Sequence, residues 1–126
     1  MLKSDDHLNV SRGDKGLAIA ISYYVEHGCC VSLPLNDSQD YDIVVDTGGL
    51  EKIQIKTTTY IHQAKGIYVV SLCSGRVKKK VEDCGYNTLF IANDQDDIWI
   101  IPREDLIHVK SDKLGLGTKY NKYKVT

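Results

Sequence analysis

The sequence reads as one α/β or α+β domain in which helices flank a single mixed β-sheet. Three observations lead there. A long apolar helical pattern near the N-terminus gives way to short β-rich runs, turn-forming residues join those runs, and a proline opens a second helical pattern after the last one. With 126 residues, 42% hydrophobic and 26% charged, the chain has enough apolar surface for one core without disulfide or metal staples, and too much for disorder.

Arg12 to His27 is the first predicted helix, with Ser11 as its N-cap and Gly28 as a left-handed stop. Its apolar positions, Leu17 to Ile21 and Tyr23 to Val25, are too many for a one-sided surface helix, so it is expected to be largely buried. Cys30 to Leu35 follows as a strand, with Pro34 near its end. Tyr41 to Asp46 and Lys52 to Thr57 form a hairpin through Thr47-Gly48-Gly49. In the second of these strands Ile53 and Ile55 point to one face, Gln54 and Lys56 to the other. Gly66 to Leu72, Thr88 to Ala92 and Asp97 to Ile101 are further strands, and Pro102 to Val109 fits a short helix with proline in its first turn. Cys73 to Tyr86 stays open between a helix marked by Val77 and Val81 and a mobile loop.

A net charge of -1 hides an uneven distribution. Asn36 to Glu51 carries five acids and no Lys or Arg, Arg76 clusters with Lys78, Lys79 and Lys80, and the segment from Lys110 on has five lysines against Asp112. The expected organisation is one domain over residues 1–126 with a basic C-terminal tail from about residue 110. No apolar run approaches the ~18 residues of a membrane span, and the N-terminus has acids where a signal peptide needs basic residues, so a cytoplasmic protein is expected. The four cysteines and four histidines match no zinc or HExxH spacing.

Chemistry gathers at the hairpin. Asp42 begins one strand, and Gln54 and Lys56 share a face of the strand paired with it, which brings three polar side chains together. A carboxylate beside an amide oxygen suits a hard divalent cation such as Mg²⁺, and a neighbouring lysine suits charge stabilisation on a phosphate, the needs of metal-assisted phosphodiester hydrolysis. The same spacing also makes plain exposed ion pairs. In the tail, Lys119-Tyr120-Asn121-Lys122-Tyr123-Lys124 interleaves basic and aromatic residues as phosphate-neutralising, groove-binding segments do; an ordinary terminal strand with surface lysines is the other reading.

Arg12-Gly13-Asp14-Lys15-Gly16, the helix ending at Gly28, and the stretches Val31 to Asp37, Tyr41 to Asp46 and Ile53 to Thr57 together resemble the PD-(D/E)XK nuclease superfamily, most closely the small homing endonucleases of bacterial group I introns. Trp99-Ile100-Ile101-Pro102 followed by a helix extends the likeness, which stops at Val109. The resemblance implies a restriction-endonuclease-like core and a double-strand DNA cutter dependent on Mg²⁺, with Mn²⁺ as substitute. It further implies a homodimer or homotetramer and no membrane partner. Asp42 becomes the central metal ligand, Gln54 stands where Asp or Glu is usual, the backbone carbonyl of Ile55 joins the ligand set, and Lys56 is the motif lysine. A neutral Gln54 implies weaker metal binding.

Relatives commonly carry a Glu where this sequence has Leu17; Asp14, three positions earlier and near the same helical face, is the better substitute, Glu26 the poorer. Asp14 also suits a helix N-terminus electrostatically without any catalytic role. Asp37 and Asp40 read first as a solvated loop. Lys78, Lys79, Lys80, Lys119, Tyr120, Lys122, Tyr123 and Lys124 are the candidate DNA contacts. Two rival functions follow: a Holliday-junction-resolving endonuclease, and a catalytically impaired nuclease-like DNA-binding or assembly protein, the latter motivated by Leu17.

Overall fold

In the computed structural model of the protein, helix α1 (Asp5–Glu26) leads into β1 (Cys30–Ser32), β2 (Ile43–Asp46), β3 (Leu50–Thr58), β4 (Ile61–His62), β5 (Ile67–Ser71), β6 (Thr88–Asn93), β7 (Ile98–Pro102) and β8 (Lys113–Gly115). The structure describes residues 5–36, 40–72 and 80–126, with side chains of α1 from residue 13 onward. Five strands form a mixed sheet in the order β1-β2-β3-β6-β7, where β3 and β6 run parallel and the other neighbours antiparallel. An antiparallel sheet, β4-β5-β8, packs beside it.

The interior strand β6 is buried along its whole length, as a strand covered on both faces must be. Toward α1 the sheet presents Ile43, Val45, Ile53, Phe90 and Ala92. Leu89, Ile91, Trp99 and Ile101 fill the opposite face and pack against Val70, Leu72, Leu114, Leu116 and Tyr120. Each fully buried isoleucine or leucine contributes roughly 1.5–3 kcal/mol relative to exposure. The Thr58 hydroxyl ties the two sheets together by donating to the Val69 carbonyl at 2.6 Å.

Helix α1 starts earlier than its apolar pattern predicts, so Ser11 lies inside it and is not the N-cap. Its end is as expected. Gly28 has φ +80, its N–H bonds to Val25 O, and Cys29 N–H reaches back to Tyr24 O, the double closure of a Schellman cap. The expectation of a largely buried helix is corrected: Gly16, Ala20 and Tyr24 form the buried stripe, while Ala18, Ser22 and Val25 are exposed. A flat sheet covers only one side of a cylinder, so apolar content alone overstates burial.

Thr47-Gly48-Gly49 makes the predicted hairpin turn, with Gly48 at φ +102 and its N–H donating to Asp46 Oδ1 at 3.1 Å. The helix predicted for Pro102 to Val109 is corrected to a single 3₁₀ turn, Arg103–Asp105. Leu106 N–H bonds to Arg103 O and Val109 N–H to Leu106 O, tight i to i+3 bonds that swing Leu106 into the core. The C-terminal segment is integrated into the fold: β8 pairs with β5, a 3₁₀ turn spans Thr118–Tyr123, and Val125 N–H bonds to Ile98 O. No helix among the described residues is long and apolar enough to cross a membrane.

Candidate active site

The site forms where β2 stops short of β3. Ile43 pairs with Ile53, so Asp42, one residue before β2, stands opposite Gln54. Its own N–H closes on Ile53 O at 2.8 Å. Beyond that point the edge of β3 has lost its strand partner, and the Asp42 carboxylate takes over: Oδ2 accepts the Ile55 N–H at 2.8 Å. An edge N–H is thereby satisfied by a charged acceptor, which fixes the carboxylate against the strand.

Gln54 is buried, and its Nε2 donates to Asp42 Oδ2 at 2.9 Å and reaches the Ile55 carbonyl at 3.5 Å. The parallel register aligns Gln54 with Leu89 and Lys56 with Ile91, so both side chains lie on the face away from α1, as strand alternation predicts. Lys56 is half-buried on the same side and acts electrostatically on Asp42. Desolvation raises the Asp42 carboxyl above its ordinary value; the Ile55 N–H and the Lys56 ammonium pull the other way without cancelling it.

A cleft of about 450 Å³ opens beside this cluster, with Asp14, Leu17, Asn36, Tyr41, Asp42 and Thr57 on its walls. Asp14 and Leu17 therefore share one cleft with Asp42, the placement their three-residue spacing predicts. The helix comes this close because Gly16 has no side chain: a Cβ there would meet Thr57 Cγ2 at 2.6 Å and Ile55 Cγ2 at 3.4 Å. Asn36, Tyr41 and Thr57 were not singled out from the sequence. Thr57 was the readable one, because period two puts it on the α1 side of β3 with Ile55.

Other expected residues fall elsewhere. Asp40 is half-buried and accepts the Gly85 N–H at 3.0 Å, tying the segment before β2 to the one before β6; Asp37 lies outside the described residues. Tyr120 is only 6% exposed, part of the core, which removes its ring from stacking on DNA bases. Tyr123 donates its hydroxyl to Asp105 at 2.7 Å, a bond that pushes its own pKa up to about 12. Lys80, Lys119, Lys122 and Lys124 are exposed, and Lys124 pairs with Asp97 at 3.4 Å and lies over the Trp99 ring. Lys78 and Lys79 lie outside the described residues. Among the described residues no group of three or more His, Cys, Asp and Glu stands ready to hold a metal.

The fold of the chain has a counterpart among solved structures. The fold matches that of a bacterial homing endonuclease, I-Ssp6803I, with a TM-score of 0.72 and 21% identity over 90% of this chain and 83% of that one. No curated protein matches the sequence. The family model described as PD-(D/E)XK endonuclease matches residues 8–124, which spans the helix, both sheets and the C-terminal turn. The chain therefore belongs to the PD-(D/E)XK endonuclease family.

Proposed function

We propose that the protein is a divalent-cation-dependent endonuclease that hydrolyses double-stranded DNA at specific sites, in the manner of homing enzymes. One observation carries the reading: Asp42 Oδ2 and the Ile55 carbonyl converge on a single amide group, that of Gln54. Two oxygens arranged around a positively polarised N–H group are also arranged for a hard cation. A half-turn of the amide replaces Nε2 by Oε1 and supplies a third oxygen. Asp42, Gln54 and the Ile55 carbonyl would thus hold Mg²⁺, with Mn²⁺ as substitute, and Asp14, on the wall of the cleft it shares with Asp42, is the candidate second acid.

A cation bound there supplies Lewis-acid polarisation of the scissile phosphate. The protein's own groups do the rest. Asp42, locked by the Ile55 N–H, keeps a fixed ligand direction; Lys56 brings an ammonium beside it to orient the attacking water and to stabilise the charge that grows on the phosphate oxygens. The exposed Lys80, Lys119 and Lys122, with Lys78 and Lys79, are assigned to the DNA backbone, and Tyr120 packs the turn that carries Lys119 and Lys122.

A second reading is favoured by Leu17, which puts a hydrocarbon on the cleft wall where the family commonly has an acid. On it the protein binds DNA but cuts poorly or not at all.

The test is cleavage of host genomic and plasmid DNA in Mg²⁺ and in Mn²⁺, with Asp42→Asn and Lys56→Ala alongside and a four-way junction as an added substrate. The proposal expects mapped, discrete product ends and a fall of roughly 10²- to 10³-fold in Lys56→Ala. Equal nicking by wild type and both variants would reject it, and preference for the junction would move the protein to the resolving class.

A further inference from the structure

The surface residues of α1 follow a self-complementary order. Lys15, Ala18, Ile19, Ser22, Tyr23 and Glu26 recur at steps of three and one, forming a continuous stripe beside the buried Gly16, Ala20 and Tyr24. Lys15, Ala18, Ser22 and Glu26 are exposed, Ile19 and Tyr23 half-buried. The stripe is one wall of an open groove of about 570 Å³ whose other wall includes Ile98 and Val125. Positions equally far from the midpoint between Ala20 and Ile21 are complementary: Lys15 with Glu26, Ala18 with Tyr23, Ile19 with Ser22. Opposite charges stand at the two ends, and small residues mirror large ones between them.

We propose that this stripe is a homodimer interface in which α1 lies antiparallel to α1 of a second copy, Lys15 meeting the partner's Glu26 at both ends. A two-fold axis through the midpoint makes the contact isologous, so each residue faces the mirror position and every pairing occurs twice. Ala18 and Ser22 let the axes approach toward the short end of the usual 8–10 Å, while Ile19 and Tyr23 supply apolar area. Ser22 Oγ donates to Glu26 Oε1 at 3.2 Å, which holds the carboxylate and leaves Oε2 for the incoming ammonium. Lys15 and Glu26 sit about 16 Å apart along one helix, too far to pair within it. A second copy in this orientation brings them together; a parallel arrangement sets like charges side by side.

The use of such a dimer, two active sites for two strands, rests on the proposed function, but the measurement of mass does not. Sedimentation velocity of the full chain across a micromolar concentration series, with and without duplex DNA, reads the assembly directly. Wild type is expected to dimerise with concentration, and Lys15→Glu and Glu26→Lys each to weaken the dimer by tenfold or more. The double variant Lys15→Glu/Glu26→Lys, and an equimolar mixture of the two single variants, restore it. A wild type monomeric throughout, or a dimer indifferent to both charges, overturns the proposal. A charge-dependent dimer that cuts no DNA keeps the interface and sinks the nuclease reading instead.

Discussion

Gln54 decides the character of the site. A carboxylate there would repel Asp42 across 2.9 Å; the amide instead donates to it, so the pocket is self-satisfied before any cation arrives. The same neutrality would leave a cation at the proposed site fewer negative ligands, and Leu17 adds none. Leu17→Glu supplies the missing acid on the shared cleft wall, and calorimetric titration with Mn²⁺ is expected to show binding tightened by roughly tenfold, about 1.4 kcal/mol. The substitution removes a half-buried apolar contact, so the metal-free variant is expected to lose about 1–2 kcal/mol of stability. Unchanged affinity would show that the Leu17 wall does not face the cation.

Asp42 has a consequence for pH. Burial raises its folded pKa, so the folded state holds the proton more tightly than the unfolded chain does. That contribution favours folding below the unfolded value and is lost as pH rises through the folded one. Asp42→Asn never pays for an ionised group in this position. Without metal, its melting temperature is expected to gain on wild type as pH rises from acidic to neutral; a constant gap, or one that closes with pH, contradicts the assignment.

At the scale of the element, the approach of α1 to β3 sets the width of the cleft. Gly16→Ala improves helix propensity by up to ~1 kcal/mol but forces a Cβ to within 2.6 Å of Thr57 Cγ2, an overpacking that costs roughly 1–3 kcal/mol. A net loss in urea unfolding is expected. Gly13→Ala, with nothing within 4 Å of its added carbon, is expected to be neutral or stabilising. Equal effects at the two positions would mean that the helix does not press on the strand. The β2–β3 hairpin and its three polar side chains were legible because both rest on local rules, a glycine turn and period two. Tyr120 was not. Its burial depends on β8 pairing with β5, more than forty residues earlier in the chain, and no local pattern encodes that. The Pro102 to Val109 segment carried a helical pattern, but the demand to seat Leu106 in the core shortened it to one turn. The cleft wall of Asn36, Tyr41 and Thr57 was likewise hidden, since it exists only once α1 crosses β3.

For the whole molecule, β3 is the organising strand: it borders β2 and β6, underlies α1, connects through Thr58 to the second sheet and carries Gln54 and Lys56. The proposed cation site therefore sits on the strand that both layers share, built from Asp42 just before β2 and from Gln54 and the Ile55 carbonyl on β3. The most direct test is the position of Mn²⁺ by anomalous diffraction from crystals of the intact protein. One peak is expected, coordinated by the Asp42 carboxylate, with the Gln54 amide turned to present Oε1 and the Ile55 carbonyl beside it. A well-occupied peak bound by other residues, or none on Asp42 at saturating Mn²⁺, would contradict it.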